Sequence, residues 1–191
     1  MRTLVCCLEE PSAWELLQVV LPKLLPEDVF LQPMVFEGKQ DLEKRLHHRI
    51  RHWQKPHSLF LVMRDQDAEE CEIVKQRLVE KIEKTDKQPA TIIRIACREL
   101  EAFYLGDLKA VEQGLKVKGL SRKQQSKKYR QPDSTQSPKQ ELRQLTNNRY
   151  QPISGSRAIS PHLDLTGVNR SHSFGVLIEG IRRLTRDGPH I

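Results

Sequence analysis

Leu59-Phe-Leu-Val-Met63 is a run of five apolar residues that stops at Arg64-Asp65-Gln66-Asp67, with a helical pattern opening just beyond it. An apolar run of this length, without alternation and with charge at its end, predicts a strand buried on both faces. Thr3–Leu8, Val29–Phe36 and Thr91–Ala96 have the same character, although Pro33 argues against full pairing of the second. Helical patterns separate them. One starts at Pro11 with Trp14, Leu17, Leu21 and Leu24 on one face. A second covers Gln40–Trp53 with Leu42, Leu46, Ile50 and Trp53 as its stripe. A third runs from Ala68 to about Lys84 with Ile73, Leu78, Val79 and Ile82 available for burial. Strand–helix alternation is the signature of βαβ units, so the chain is expected to be α/β, with about four mainly parallel strands and flanking helices.

Acidic residues collect where these strands end. Glu9 and Glu10 follow the first, Asp65 and Asp67 the third, and Arg98, Glu99 and Glu101 the fourth. Ligand sites of open parallel sheets lie at the carboxyl ends of strands. In an extended segment, residues i and i+2 point to one side, so Asp65 and Asp67 can converge on one cation. A hard, oxygen-seeking ion such as Mg²⁺, or Mn²⁺ in its place, suits a set drawn from Glu9, Glu10, Asp65 and Asp67. Glu99 and Glu101 can add a ligand or position water, and Arg98 can steady a phosphate. Capping offers another explanation: Asp67 as an N-cap with Glu70 three residues on completes a capping box.

Charge is unevenly placed. The chain carries a formal +7, yet Lys116–Arg149 holds ten basic residues against Asp133 and Glu141, a local +8 that leaves about −1 elsewhere. Such a block, with Lys127, Lys128 and Arg130 at its middle, suggests a phosphate-rich partner such as nucleic acid; a solvated polar excursion that binds nothing is the other reading. From Leu120 to Pro161 periodicity fades, and only Leu142–Leu145 suggests a helical turn or two. Phe174–Leu184 recovers the pattern of a closing helix. Residues 1–115 therefore read as an α/β core, and 116–191 as a basic, loop-rich and helical extension packed on the same domain. Ser154-Gly-Ser-Arg157 and Arg170-Ser-His-Ser173 pair cations with hydroxyls, as phosphate holders or as ordinary turn and cap residues. His47, His48, His52 and His57 fit a solvent-facing basic helix better than a metal site. The four cysteines lack Cys-x-x-Cys spacing and read as reduced. No apolar run approaches membrane-spanning length, and the amino terminus lacks an export signal, so a cytoplasmic protein is expected. Phosphate-loop and serine-elbow motifs are absent from the sequence.

Several stretches carry a family resemblance: Leu8-Glu-Glu-Pro-Ser12, Val35–Glu43, Arg64–Asp67, Arg94–Asp107, Ser154–Ile159 and Arg170–Phe174. Together they resemble the prokaryotic proteins grouped as domain of unknown function 4276. That family looks Toprim-like, similar to the domain of topoisomerases, primases and overcoming-lysogenization-defect nucleases. The Toprim pattern places a glutamate after the first strand and an Asp-x-Asp after the third. Glu9 matches the former, and Asp65 and Asp67 the latter. Glu10 stands where Toprim proteins often have glycine, which leaves open which glutamate faces the metal. The resemblance implies a Mg²⁺-dependent nuclease, a hydrolase of DNA or RNA phosphodiesters, acting as a phage-defence effector with an AAA-type ATPase. A non-catalytic nucleic-acid-binding or regulatory subunit of such an ATPase is the alternative.

Overall fold

In the computed structural model, which describes residues 1–187, four strands form one sheet in the order β2-β1-β3-β4, with every pair parallel. The strands are β1 (Arg2–Leu8), β2 (Val29–Val35), β3 (Ser58–Asp65) and β4 (Thr91–Ala96). The central pair, β1 and β3, is buried on both faces, which is why these segments read as unbroken apolar runs. Pro33 lies on edge strand β2, where a missing N–H is tolerated.

Alternation along the strands divides the interior into two layers. Leu4, Cys6, Leu8, Leu59, Leu61 and Met63 face α1 (Pro11–Val20) and the carboxyl-terminal helices. Val5, Cys7, Phe60, Val62, Ile93 and Ile95 face α2 (Lys39–Arg51) and α3 (Cys71–Glu83). The α2 stripe Leu42, Leu46 and Ile50 is buried as expected, with Trp53 packed at its margin. In α1 the buried face is Ala13, Leu16, Leu17 and Val20. Trp14 and Leu24 are only partly covered; the helix ends at Val20, and a 3-10 turn carries Leu21.

The third helix departs from expectation at its start. Asp67 adopts a left-handed backbone (φ 59°) and caps nothing. Helix α3 begins at Cys71 behind Glu70, three residues later than the apolar pattern suggested. The buried face is Val74, Leu78 and Ile82, with Val79 at its margin, and Ile73 is 52 % exposed. The capping box is thus corrected: neither Asp67 nor Glu70 makes a side-chain cap bond.

After β4 the chain does not continue as one helix. It forms α4 (Ala102–Leu105), breaks at Gly106, and restarts as α5 (Leu108–Gly114), which Asp107 caps by accepting the Ala110 N–H at 3.0 Å. The segment expected to be mostly loop contains two helices, α6 (Pro138–Leu145) and α7 (Pro152–Ile159), with three short 3-10 turns ahead of them. Proline at the first helical position opens both. Gly155 lies inside α7 because the Tyr150 ring packs on it; an added Cβ would stand 2.4 Å from that ring. Helix α8 (His172–Asp187) closes the fold against β3 and β4. Tyr129, Leu142, Tyr150, Ile159, Phe174 and Ile181 share one apolar cluster with β1 and β3, so the basic extension supplies part of the main core. Among the described residues, no helix is long and apolar enough to cross a membrane.

Candidate acidic site at the strand ends

Asp65 is the last residue of β3, and strand parity sends it to the same side as Leu61 and Met63, toward α1 and the carboxyl-terminal helices. It is only 9 % exposed, and its carboxylate makes no hydrogen bond among the described residues. Burial pushes its pKa well above the usual carboxylate range. The charges of Glu10, Glu101 and Glu9 push the same way, and Lys139 opposes them. Three strand ends therefore meet here: Glu9 and Glu10 from β1, Asp65 from β3, and Glu101 from just beyond β4.

Glu101 is fully buried. Its Oε1 accepts the Tyr150 hydroxyl at 2.8 Å and lies 3.9 Å from Lys139 Nζ, whereas its Oε2 is buried without any partner. Burial raises this carboxyl to about 7, against the opposing pull of Lys139 and Tyr150. Lys139 enters from the first turn of α6. Burial favours its neutral form, but Glu101, Glu10, Asp65 and Glu99 outweigh that, and its pKa is raised. Glu99 anchors the same turn by accepting the Lys139 backbone N–H at 2.7 Å. Glu10 accepts from the Ser12 hydroxyl at the start of α1. Glu9 stands at the rim, accepting the Asp65 N–H at 3.2 Å, with its pKa raised chiefly by burial.

Asp67 belongs to a different group. Hydrogen bonds from Gln66 N to Ala96 O (2.9 Å) and from Asp67 N to Arg98 O (2.8 Å) prolong the β3–β4 pairing. Asp67 and Arg98 are nonetheless both left-handed, so the extended i, i+2 geometry is lost. The Asp67 carboxylate pairs with Lys39 at 2.8 Å and lies 3.6 Å from Arg64. The Arg64 side chain has no exposed surface. It contacts Glu43 and Glu69, stands 3.8 Å from Glu9, and donates from Nε to the Asp65 carbonyl at 2.8 Å. Arg77 closes the network by bridging Glu43 and Glu69. Glu9 thus sits between a carboxylate pocket on one face and an arginine-centred cluster on the other.

The expected phosphate-binding cations divide in the same way. Arg157 is held by Glu15 through two bonds of 2.8 Å, and Ser154–Arg157 is helix, not a turn. Arg170 donates to Gln124 O and Gln125 Oε1, while Ser171 and the Ser173 N–H bind Asp133 at the start of α8. That helix end therefore carries an internal anion already. Arg98 reaches the Asp67 carbonyl at 3.5 Å. Lys127, Lys128 and Arg130 are exposed on the 3-10 turns before α6, with Lys128 paired to Glu141 at 2.6 Å.

Sequence reading missed Lys139, Tyr150 and Arg64. Lys139 was one of ten basic residues in a segment without periodicity, and nothing local marked it. Arg64 carried a usable signal: a cation inside an apolar strand next to Asp65 needs buried partners.

Among the described residues, no three His, Cys, Asp or Glu side chains already form a group that could hold a metal ion. The donor chemistry nevertheless fits a hard divalent cation. Every donor is an oxygen, several carboxylates repel one another at low exposure, and Glu101 Oε2 is unsatisfied.

The sequence profile described as Domain of unknown function (DUF4276) matches residues 8–182. No curated protein and no solved structure matches the chain.

Proposed function

The chain belongs to the DUF4276 family, and from the geometry of its acidic pocket we propose that it is a Mg²⁺- or Mn²⁺-dependent nuclease cutting DNA or RNA phosphodiesters. The observation that carries this reading is the fully buried Glu101, with Oε2 left unpartnered, beside the nearly buried Asp65, whose carboxyl feels the charges of Glu101 and the half-buried Glu10. Uncompensated carboxylates at low exposure are costly, and they persist where a cation is to be bound. Glu10, Asp65 and Glu101 would hold the metal, with Glu9 at the rim. Asp67 is assigned to the Arg64 cluster instead. When bound, the ion stabilises charge on the attacking and leaving oxygens of a phosphodiester. Tyr150 fixes the orientation of Glu101, and Glu99 fixes the turn that carries Lys139. The Lys139 ammonium, already at the pocket, offers the phosphate a positive contact. Lys127, Lys128 and Arg130 lie on the exposed flank, where they can take neighbouring phosphates. Of the Toprim pattern that the sequence resembles, this site keeps Asp65 and, at its rim, Glu9, whereas Asp67 departs from it. A phage-defence role with an AAA-type ATPase and a cytoplasmic location are part of the same reading.

Cleavage of labelled single- and double-stranded DNA and RNA, with Mg²⁺ or Mn²⁺ and with EDTA, tests it in the wild type and in Asp65→Asn. Metal-dependent cleavage lost in the variant is expected. Equal activity in both, or none with any substrate in the presence of the ATPase, overturns the reading. One observation favours the non-catalytic alternative. Lys139 gives the cluster a cation of its own, so the pocket can serve as a structural polar core in a regulatory subunit. That alternative predicts no heat on titration with Mg²⁺ or Mn²⁺.

A further inference from the structure

A concavity away from the acidic cluster shares helix α6 with it. Its volume is about 790 Å³, and Lys127, Gln131, Gln136, Ser137, Gln140 and Gln144 are among its lining residues. Gln140 and Gln144 stand one turn apart on α6 and so present the same face. Lys139, one residue away, carries its side chain to Glu101 and the acidic pocket. The helix thus contributes residues to both places, Ser137, Gln140 and Gln144 to the groove and Lys139 to the acidic cluster.

The chemistry of the lining is specific. The side-chain amides of Gln131, Gln136, Gln140 and Gln144 make no hydrogen bond to any described residue. By contrast, the Gln124 amide outside the groove donates to two backbone carbonyls. The one carboxylate in the groove, Glu141, is already taken by Lys128 and the Tyr129 hydroxyl. What remains for a ligand is a set of free amides, each able to donate and accept, beside the exposed ammonium of Lys127 and with Arg130 adjacent. Amides pair well with the edges of nucleobases, and lysines with phosphates. Watson–Crick edges are open to such contacts only in unpaired strands, and recognition of single strands works through them.

We propose that this groove binds single-stranded nucleic acid by its base edges and feeds the adjoining phosphate toward Lys139 and the acidic pocket. The inference rests on the nuclease reading for the identity of the polymer, and it adds strandedness and base selectivity. The groove's own contribution is separable from catalysis, because binding can be measured without metal.

Fluorescence anisotropy in EDTA, with labelled single-stranded RNA, single-stranded DNA and the corresponding duplexes, provides the test. It is applied to the wild type, Gln140→Ala/Gln144→Ala and Lys127→Ala. The altered groove residues are exposed, so the variants are expected to keep the wild-type circular dichroism. Single strands should bind more tightly than duplexes. The double glutamine variant should lose about tenfold in affinity and flatten the ranking among homopolymers. Lys127→Ala should weaken all single strands alike and reduce the salt dependence. The RNA and DNA arms identify which sugar is preferred, and preference for either supports the groove. Duplex binding as tight as single-strand binding, or a double glutamine variant indistinguishable from wild type, overturns the inference. Groove-dependent binding without cleavage by the wild type keeps the inference and removes the nuclease reading.

Discussion

Replacing Glu101 by Gln keeps a side-chain oxygen for the Tyr150 hydroxyl while removing a charge from a fully buried site. In the folded chain this carboxyl is raised from 4.5 to about 7, mainly by burial. Below about pH 4.5 the group is protonated in both folded and unfolded chains and adds no pH dependence. Between there and about 7 the unfolded carboxyl loses its proton while the folded one keeps it, so stability falls as pH rises. Above that window the loss is constant. At 1.36 kcal/mol per pKa unit, the full loss is about 3 kcal/mol. Glu101→Gln should escape it. Removing this charge also relieves Asp65, which feels Glu101 as a like charge, so the coupling acts in the same direction. Urea denaturation of wild type and Glu101→Gln in EDTA, from pH 4 to pH 8, checks this. The variant should gain about 3 kcal/mol on the wild type across that range. If the proposed metal site is real, saturating Mg²⁺ at pH 8 should then stabilise the wild type more than the variant, since only the folded chain assembles that site. Parallel stability profiles, or a difference that grows toward acid, would refute the electrostatic argument.

Three further perturbations test the supports of the pocket. Arg64→Met leaves the carboxylates around it without their buried cation and should cost about 3–5 kcal/mol in chemical denaturation; a loss below about 1 kcal/mol would show the network to be dispensable. Gly155→Ala drives a methyl into the Tyr150 ring and should destabilise by about 1–3 kcal/mol, a cost read as a lower melting temperature. Arg157→Ala removes an exposed pair with Glu15 and should leave the melting temperature and nucleic-acid affinity unchanged; a marked loss of affinity would restore Arg157 as a phosphate ligand.

The strands were legible because each needs a short apolar run, and burial on both faces of β1 and β3 leaves little room for anything else. The edge position of β2 was readable from Pro33 alone. Helix starts were less so. The apolar pattern around Cys71 suits either of two faces, and α3 buries Val74, Leu78 and Ile82; ahead of it, the left-handed turn at Asp67 is paired across the sheet with another at Arg98. The same turn separated Asp65 from Asp67, which spacing alone had placed together. In the extension, the helices α6 and α7 are each only eight residues long, and much of their burial comes from contacts with α1, α4 and α5. Periodicity in such short pieces is weak, and their stability lies in tertiary packing. Lys139 and Tyr150 became visible as site residues only when that packing brought them to Glu101.

The carboxylates of the pocket are made early in translation and its ammonium late. Glu10, Asp65 and Glu101 emerge from the ribosome before Lys139 and Tyr150, and the helix that seals β4 comes last. A growing chain can pair its strands in order of synthesis. It cannot complete the acidic pocket until residues 138–150 have arrived to provide the counter-charge and the hydroxyl. Until then the gathered carboxylates repel one another without relief. Assembly of the pocket is thereby tied to completion of the fold, and a nascent fragment ending before α6 holds the acids of the site without the arrangement that makes them a site.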